Sequence, residues 1–223
     1  MERLRKMAIA RIEQQTRNIP PEEVTSIALN DLPFPSERIV AFTSLSHLTL
    51  ISMRPRIKTL HSLPLATLTS LRMLDVSDNA ITVTEEEEGP LPVCPSLRKL
   101  FIANNNIKRW EEICRLAVAF PKLEVLDATD NEGNEPSRFH EAFELFPNLV
   151  AFDLKSKDGK DVAILETDES SSDEEEDESD ADNENENEED EDEDEEGEEE
   201  EEDGRSSDGN GMEEPPAKLQ RTE

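Results

Sequence analysis

The chain has 223 residues and a formal net charge of −33, and this charge is divided unevenly along it. Residues 1–165 contain 20 Lys+Arg and 24 Asp+Glu, whereas residues 166–223 contain 3 and 32. The first part is large enough to bury a core. The second has too few apolar residues to offset its ordering entropy and is predicted to be disordered. No apolar run approaches the roughly 20 residues of a membrane-spanning helix, and the acidic balance argues against direct nucleic-acid binding.

The first residues predict a capping helix. Residues 2–17 carry apolar side chains on one helical face: Leu4, Ala8 and Ile12. Pro20 and Pro21 would end such a helix. We assign residues 1–21 to an N-terminal capping helix that covers the open end of a repeat array. This charged and interrupted start lacks the apolar segment of a secretion signal.

A leucine-rich repeat recurs along residues 22–148. Residues 71–81 match the pattern L-x-x-L-x-L-x-x-N-x-I, with Val76 in the third apolar slot. Steps of 26 residues fill the first two apolar slots with Leu45 and Leu48, Leu97 and Leu100, Leu123 and Leu126, and Leu149 and Phe152. The third slot holds Leu50, Val76, Ile102, Ala128 and Leu154. A shorter step of 21 residues leads back to Val24, Ile27 and Leu29. Because a chance pattern does not keep phase over four steps, repeats organise this part of the chain.

The repeats predict a leucine-rich-repeat solenoid of the α/β class. The L-x-L centre forms a short strand with alternate side chains inward, the asparagine binds backbone groups of the neighbouring coil, and stacked coils share one core. We expect a right-handed array with a curved parallel sheet on the concave side and helices and loops on the convex side. Apolar spacing predicts helices at residues 110–117 and 139–146, and four consecutive glutamates predict an irregular loop at residues 85–92. Residues 149–165 are assigned to a C-terminal cap.

The repeat register predicts which side chains line the concave sheet. The position between the paired apolar residues holds Ala28, Thr49, Asp75, Phe101, Asp127 and Asp153. Since adjacent strands lie ~4.8 Å apart, Asp75 and Asp127 would flank Phe101, and an aromatic ring among carboxylates suits a basic peptide. The alternative is that the aspartates only keep the sheet soluble and that Phe101 packs on Lys99 or a loop. The candidate partner-binding residues are Asp75, Asp78, Lys99, Phe101, Asp127, Asp130 and Asp153.

Residues 166–223 are a second candidate for binding. Runs of Asp and Glu repel one another and extend the chain, and their field attracts cationic partners. Because an exposed ion pair contributes ~0–1 kcal/mol, such binding would rest on many weak contacts and weaken with salt. The alternative is a solubilising segment without a partner. An acidic residue three positions downstream makes four serines candidate phosphorylation sites: Ser170, Ser171, Ser172 and Ser179.

No motif in the sequence predicts catalysis, a metal or a cofactor. The three histidines, His47, His61 and His140, fall in different repeats. Cys94 and Cys114 have no second cysteine at the spacing of a zinc site, and as the chain's two cysteines they favour a reducing intracellular compartment. No phosphate-binding glycine loop appears, and no carboxylate pair lies in an evident apolar pocket. We therefore expect a protein that is not an enzyme and needs no cofactor.

The order of a short N-terminal helix, leucine-rich repeats, a cap and an Asp/Glu-rich extension resembles the acidic leucine-rich nuclear phosphoprotein 32 family over nearly the whole chain. Residues 18–29, 71–81 and 95–107 carry the resemblance most clearly. It implies a nuclear protein, shuttling with the cytoplasm, that binds histones as a chaperone or chromatin regulator. The resemblance also implies inhibition of a type 2A protein phosphatase, which is a property of some members of that family.

Three functions therefore stay open on the sequence alone. The first is a histone-binding chaperone or chromatin regulator that uses the acidic segment and the concave face. The second is a phosphatase inhibitor or signalling scaffold that uses the concave face. The third is an adaptor in a ribonucleoprotein or cytoskeletal assembly, because short capped repeat proteins also serve in such assemblies. No membrane partner is expected.

Overall fold

The computed structural model describes residues 2–84 and 89–163 of the chain. Contacts divide the chain into two units, Met1–Glu169 and Ser170–Glu223, and the described residues belong to the first. The predicted disordered segment at 166–223 lies outside the described residues, and so do the end of the predicted C-terminal cap and the candidate phosphorylation sites Ser170, Ser171, Ser172 and Ser179.

Six parallel strands form one sheet and follow one another in chain order. They are β1 Ser26–Asn30, β2 His47–Ile51, β3 Met73–Asp75, β4 Lys99–Phe101, β5 Val125–Asp127 and β6 Ala151–Phe152. Equivalent repeat positions lie side by side, and the central inward leucines are buried Cα partners: Leu48, Leu74, Leu100 and Leu126. The leucine-rich-repeat fold of the α/β class is therefore confirmed, whereas the curvature and handedness of the array stay predictions.

Helices and irregular segments connect the strands. The α-helices of the described residues are α1 Glu2–Gln15, α2 Ser36–Ile39, α3 Trp110–Ala119 and α4 Phe139–Leu145. Short 3-10 helices lie at Pro21–Glu23, Leu60–Ser62 and Pro136–Arg138. Helices α3 and α4 confirm the two that apolar spacing predicted. Residues 89–92 of the predicted loop are neither helix nor strand, and the rest of that loop lies outside the described residues. In the part of the chain that the structure describes, no helix is both long and apolar enough to cross a membrane.

Buried asparagine amides connect each coil to its neighbours. The Nδ2 atom of Asn79 donates to the carbonyl of Leu50 in the preceding coil at 2.8 Å and to that of Val76 in its own coil at 2.9 Å. Its Oδ1 atom accepts from the N–H of Met53 at 3.2 Å, and Met53 fills the asparagine slot of its own repeat. The two Nδ2 bonds recur at Asn105 and Asn131 in the following repeats, and their Oδ1 atoms accept from the N–H groups of Ile81 and Ile107. Each amide thus satisfies backbone groups that would otherwise be buried without partners.

A buried carboxylate holds the irregular segment after strand β3. Glu112 of α3 is 2% exposed, and its Oε2 atom accepts from the N–H of Val83 at 3.0 Å. Arg115, almost one helical turn further on, donates from Nη1 to the carbonyl of Val83 at 2.9 Å. Helix α3 therefore satisfies both backbone groups of Val83, two residues before the four consecutive glutamates.

Helix α1 covers the open edge of strand β1. Its Gln15 amide donates from Nε2 to the carbonyl of Ala28 at 2.7 Å and accepts at Oε1 from the N–H of Ala28 at 2.8 Å. A neighbouring strand would satisfy the same edge groups by its backbone. Ala8 and Ile12, from the predicted apolar face, are buried. Exposed ion pairs also join α1 to α2: Arg5 with Glu37 and Arg38 with Glu13.

The last repeat departs from the predicted register. Strand β6 ends at Phe152, and Leu154, predicted to fill an inward slot, is 43% exposed with a φ of 62°. The chain turns back instead: Phe152 and Lys155 exchange two backbone hydrogen bonds, of 2.9 and 3.0 Å. Lys155 also forms an antiparallel bridge with Asp161. A short hairpin therefore follows β6 where the sequence predicted an inward leucine.

Loss of one buried asparagine should weaken the whole repeat array. We expect Asn79→Ala to lower the free energy of unfolding by about 3 kcal/mol, because several buried backbone groups lose their partner. Asn106→Ala, at an exposed position, is the matched control and should cost less than about 0.5 kcal/mol. Urea denaturation followed by circular dichroism measures both values, and equal losses would contradict the structural role of the buried amide.

The hydrogen bonds of the Gln15 side-chain amide can be tested with a variant of the same side-chain length. Gln15→Glu removes the donor to the carbonyl of Ala28 while keeping the side-chain length. The second carboxylate oxygen would then face the carbonyl oxygen of Ala28, and this repulsion should displace the side chain from both backbone groups. We therefore expect a destabilisation of about 1 kcal/mol at neutral pH and faster hydrogen exchange of the Ala28 amide. Gln14→Glu, one residue earlier on the same helix, controls for the added charge. If both variants left the exchange rate of Ala28 unchanged, the edge-covering role of Gln15 would be wrong.

Candidate functional site

The outward side chains of the strands and of the turns that follow them form four rows, which together we call the sheet face. The central row is Ala28, Thr49, Asp75, Phe101 and Asp127. The leading row, two residues earlier, is His47, Met73, Lys99 and Val125. The trailing row, two residues after the central one, is Ser77, Ala103 and Thr129, and the turn row, one residue further, is Asp78, Asn104 and Asp130.

The register places Phe101 between two carboxylates. Asp75 and Phe101 are Cα partners across β3 and β4, and Phe101 and Asp127 are Cα partners across β4 and β5. Phe101 and Asp75 are half-buried, and Asp127 is 9% exposed. The sheet therefore confirms the predicted adjacency of Asp75, Phe101 and Asp127. A role of these residues in binding stays a prediction.

Local hydrogen bonds fix the two carboxylates. Asp75 accepts at Oδ1 from the N–H of Ser77 at 2.9 Å. Asp127 accepts at Oδ1 from the N–H and the Oγ1 of Thr129 at 3.1 and 2.8 Å. Burial raises the pKa of the Asp75 carboxyl, and the nearby negative charge of Asp127 raises it further. Both carboxylates are thus held in place by residues of their own repeats.

A left-handed backbone at the end of each repeat's strand segment explains the residue types of the turn row. Asp78, Asn104 and Asp130 have φ values of 57°, 48° and 56°, and Asp and Asn tolerate this region better than most residues. In this conformation the N–H of Asp78 donates to the carbonyl of Ala103 in the next coil at 3.0 Å. The side chain of Asp78 also accepts from Nδ2 of Asn104. The predicted residues Asp78 and Asp130 therefore border the sheet face, and Asp130 is exposed.

The leading row brings two apolar neighbours to Phe101 that the sequence analysis missed. Lys99 is half-buried and lies between its Cα partners Met73 and Val125. Met73 and Val125 are the diagonal neighbours of Phe101, within reach of an aromatic side chain. The alternation that selected the central row would have identified both residues, two positions upstream.

Asp153 does not continue the central row. It follows the end of β6 with a φ of 50°, because the last repeat gives way to the hairpin. Its Oδ1 atom accepts from the N–H of Ala128 at 2.9 Å, and its Oδ2 atom accepts from Nδ2 of Asn134 at 2.7 Å. Burial raises the pKa of Asp153, and the charge of Asp127 raises it further. The predicted sixth member of the row is therefore a strand-end residue that holds two neighbouring segments.

A cleft at the end of the sheet was not predicted from the sequence. We call it the end cleft, and its lining includes Thr129, Asn134, Phe139, His140, Asp153 and Lys155. The ring of Phe139 packs against the ring of Phe152 with centroids 6.0 Å apart. The lining comes from the turn after β5, from helix α4 and the segment before it, and from the hairpin. Only the folding of the last repeat brings these segments together.

The remaining candidate groups have local partners. Nδ1 of His47 lies 2.8 Å from Oγ of Ser46, and Nε2 of His61 lies 2.9 Å from the carbonyl of Pro90. Cys94 and Cys114 are not in a disulfide. Within residues 2–84 and 89–163, no group of three or more His, Cys, Asp or Glu is arranged to hold a metal ion.

Comparisons with known proteins give partial similarities. No protein-family model matches the chain. Tubulin-specific chaperone cofactor E-like proteins of Rattus norvegicus and Homo sapiens are 32% and 31% identical over 143 and 141 residues, which is 61% of this chain and 32% of each relative. Tubulin-specific chaperone E of Homo sapiens is 29% identical over 70 residues, which is 31% of this chain and 13% of that protein. The chain thus spans 32% of the length of the first two relatives.

Among solved structures, an internalin from Listeria monocytogenes is similar to this chain with 18% identity and a TM-score of 0.35. The similarity covers 60% of this chain and 42% of the internalin. None of the relatives named above bears the name of the acidic leucine-rich nuclear phosphoprotein 32 family, and that resemblance stays a prediction.

The raised pKa of Asp75 predicts a pH dependence of stability. Because this pKa lies above its ordinary value of 3.8 in the fold, the folded chain holds the proton more tightly than the unfolded chain, and ionisation costs stability as pH rises. We therefore expect the wild type to lose stability relative to Asp75→Asn between about pH 3 and pH 6. Urea denaturation across this range measures the difference, with Asp158→Asn in the hairpin as a control for the loss of one charge. Parallel curves for wild type and Asp75→Asn would contradict the raised pKa.

Proposed function

We propose that this chain is a protein-binding protein without enzyme activity, whose sheet face takes a basic segment of its partner. The observation that carries the proposal is the half-buried Phe101 between the carboxylates of Asp75 and Asp127. We further propose that the repeats curve into a solenoid with this face on its concave side.

The chemistry of the face favours a cationic side chain. An ammonium or guanidinium group over an aromatic ring gains about 0.5–2 kcal/mol, with the larger value when water is excluded. The two carboxylates lie on the strands at either side of the ring, so a cation above Phe101 would also interact with both. Because Asp127 is largely buried, its charge is screened less by salt than that of a fully exposed aspartate.

The acidic segment would add long-range attraction to this local site. Residues 166–223 contain 32 Asp+Glu and 3 Lys+Arg, and such a charge density raises the rate of encounter with a cationic protein at low ionic strength. The local site and the acidic segment should therefore differ in salt dependence. The acidic segment should contribute the affinity that falls steeply with salt concentration. The sheet face should contribute the affinity that remains at high salt.

Histones are the first partner that we propose, on the resemblance to the acidic leucine-rich nuclear phosphoprotein 32 family together with these charges. A nuclear location and regulation of chromatin belong to the same proposal. Inhibition of a type 2A protein phosphatase is implied only by that resemblance and stays a prediction.

Binding of a fluorescent core histone dimer to the full chain tests this proposal. The double variant Phe101→Ala/Asp127→Asn should weaken binding about tenfold at high salt, through loss of one aromatic anchor and its charge. Val118→Ala, at a position of α3 that is 81% exposed, is the control and should bind as the wild type does. Deletion of residues 166–223 should reduce the slope of affinity against salt. Unchanged affinity of the double variant would exclude the sheet face as the binding site.

Tubulin is a second candidate partner, because the relatives found by sequence comparison are named tubulin-specific chaperone proteins. It corresponds to the adaptor in a cytoskeletal assembly that the sequence left open. The same binding measurement with purified tubulin in place of the histone dimer separates the two. Binding of tubulin that depends on Phe101, together with no binding of histones, would replace the first proposal by the second.

A further inference from the structure

The end cleft is an open depression whose lining is held in place by hydrogen bonds within the chain. Two lining residues, Asp153 and Asn134, are joined to each other, and the same Asp153 carboxylate also accepts from the backbone of Ala128. One wall is the hairpin, which the two hydrogen bonds between Phe152 and Lys155 close. A site whose lining is already ordered loses little conformational entropy when a ligand binds to it.

The chemistry of the end cleft is that of an apolar side-chain pocket. Phe139 lines it, and its ring packs against the rings of Phe143 and Phe152 at centroid distances of 5.4 and 6.0 Å. The imidazole of His140 stands edge-on to the same ring at 5.3 Å. The two carboxylate oxygens of Asp153 already accept hydrogen bonds from the protein. The aromatic surface is therefore the part of the lining that a ligand can cover without breaking an internal hydrogen bond.

The end cleft is continuous with the sheet face. Thr129 lines the cleft and is also the last residue of the trailing row. That row has only small side chains, Ser77, Ala103 and Thr129, between the central row and the turn row. Because these side chains are shorter than those of the central row at Phe101, we take the row as a shallow trough that runs across the strands from β3 towards the cleft. Four carboxylates border the trough: Asp75, Asp78, Asp127 and Asp130.

We infer that the end cleft is the anchor pocket for one apolar or aromatic side chain of the same basic partner segment that lies in this trough. The inference rests on the proposed function and adds the composition of the segment to it. The small side chains of the trough let an extended backbone approach the sheet closely. The acidic borders select Lys and Arg along that backbone, and the ring of Phe139 selects an apolar residue at its end.

The spacing of the strands sets the spacing within the partner. From Phe101 on β4 to the position of β6 are two strand intervals, or about 10 Å, and an extended chain covers this in about three residues. The apolar residue should therefore lie three to five residues from the residue above Phe101, where about five allows for the extra reach into the cleft. A helix would be too wide for a trough only one row of small side chains across.

Two matched peptides test the inference on the full chain. One is a lysine–serine repeat peptide with a phenylalanine near each end, so that either chain direction can place a ring in the cleft. The other has alanine at both positions and the same charge. Because the acidic segment attracts the two peptides equally, their difference in affinity reports the pocket. Fluorescence anisotropy should show roughly tenfold tighter binding of the phenylalanine peptide, as expected for partial burial of one aromatic side chain.

Variants of the cleft decide where this advantage arises. His140→Ala/Lys155→Ala removes two exposed side chains of the lining and leaves Phe139 and the backbone hydrogen bonds of the hairpin in place. It should reduce the advantage to less than about threefold, whereas the control Val118→Ala should keep it. Nuclear Overhauser contacts between the ring of the peptide and that of Phe139 should appear in the wild type.

The outcomes separate the inference from the proposed function. Equal affinity of the two peptides for the wild type, with binding that still depends on Phe101, overturns the anchor pocket alone. An advantage that survives in the double variant without contacts to Phe139 overturns it as well. If neither peptide binds the wild type, the proposed function fails and the anchor pocket fails with it.

Discussion

Each coil of this chain depends on its neighbours for the hydrogen bonds of its own buried backbone. The amide of Asn79 reaches the carbonyl of Leu50 in one coil and that of Val76 in another, and Asn105 and Asn131 repeat the pattern. A buried polar group without a partner costs about 1–3 kcal/mol, so a coil that slipped out of phase would lose several such bonds together. This constraint keeps the period at 26 residues and holds Leu48, Leu74, Leu100 and Leu126 in line.

The same constraint leaves the outward positions free to vary. Neither packing nor the backbone requires a particular residue in the central row, which holds Thr49, Asp75, Phe101 and Asp127 on successive strands. Two carboxylates beside an aromatic ring are therefore not explained by the stability of the fold. Their hydrogen bonds to Ser77 and Thr129 order them, but a serine or an asparagine would serve that purpose without bringing two charges near each other. A cationic partner accounts for the charges better than solubility does, because Asp127 is mostly hidden from water.

The backbone edges of the first and last strands of the sheet are covered in different ways. At the first strand, one side chain, Gln15, binds both backbone groups of Ala28. At the last strand, the chain folds back as a hairpin, and its side chains meet those of α4. The end cleft lies where the hairpin, helix α4 and the turn after β5 meet. Because Thr129 of the sheet face and Lys155 of the hairpin both line it, the cleft lies beside the sheet face.

The sequence by itself determined the structural features that recur in every repeat. The spacing of Leu71, Leu74 and Val76 determined the strands, their order and the adjacency of Asp75, Phe101 and Asp127, because a periodic pattern places equivalent residues side by side. The same spacing failed at Asp153 and Leu154, where the pattern continues in the sequence but the backbone turns left-handed. Tertiary structure alone decided the bonds of Gln15 and Glu112 and the assembly of the end cleft from Thr129, Phe139 and Lys155. These contacts join segments with no common period, so they depend on the packing of the particular side chains that meet there.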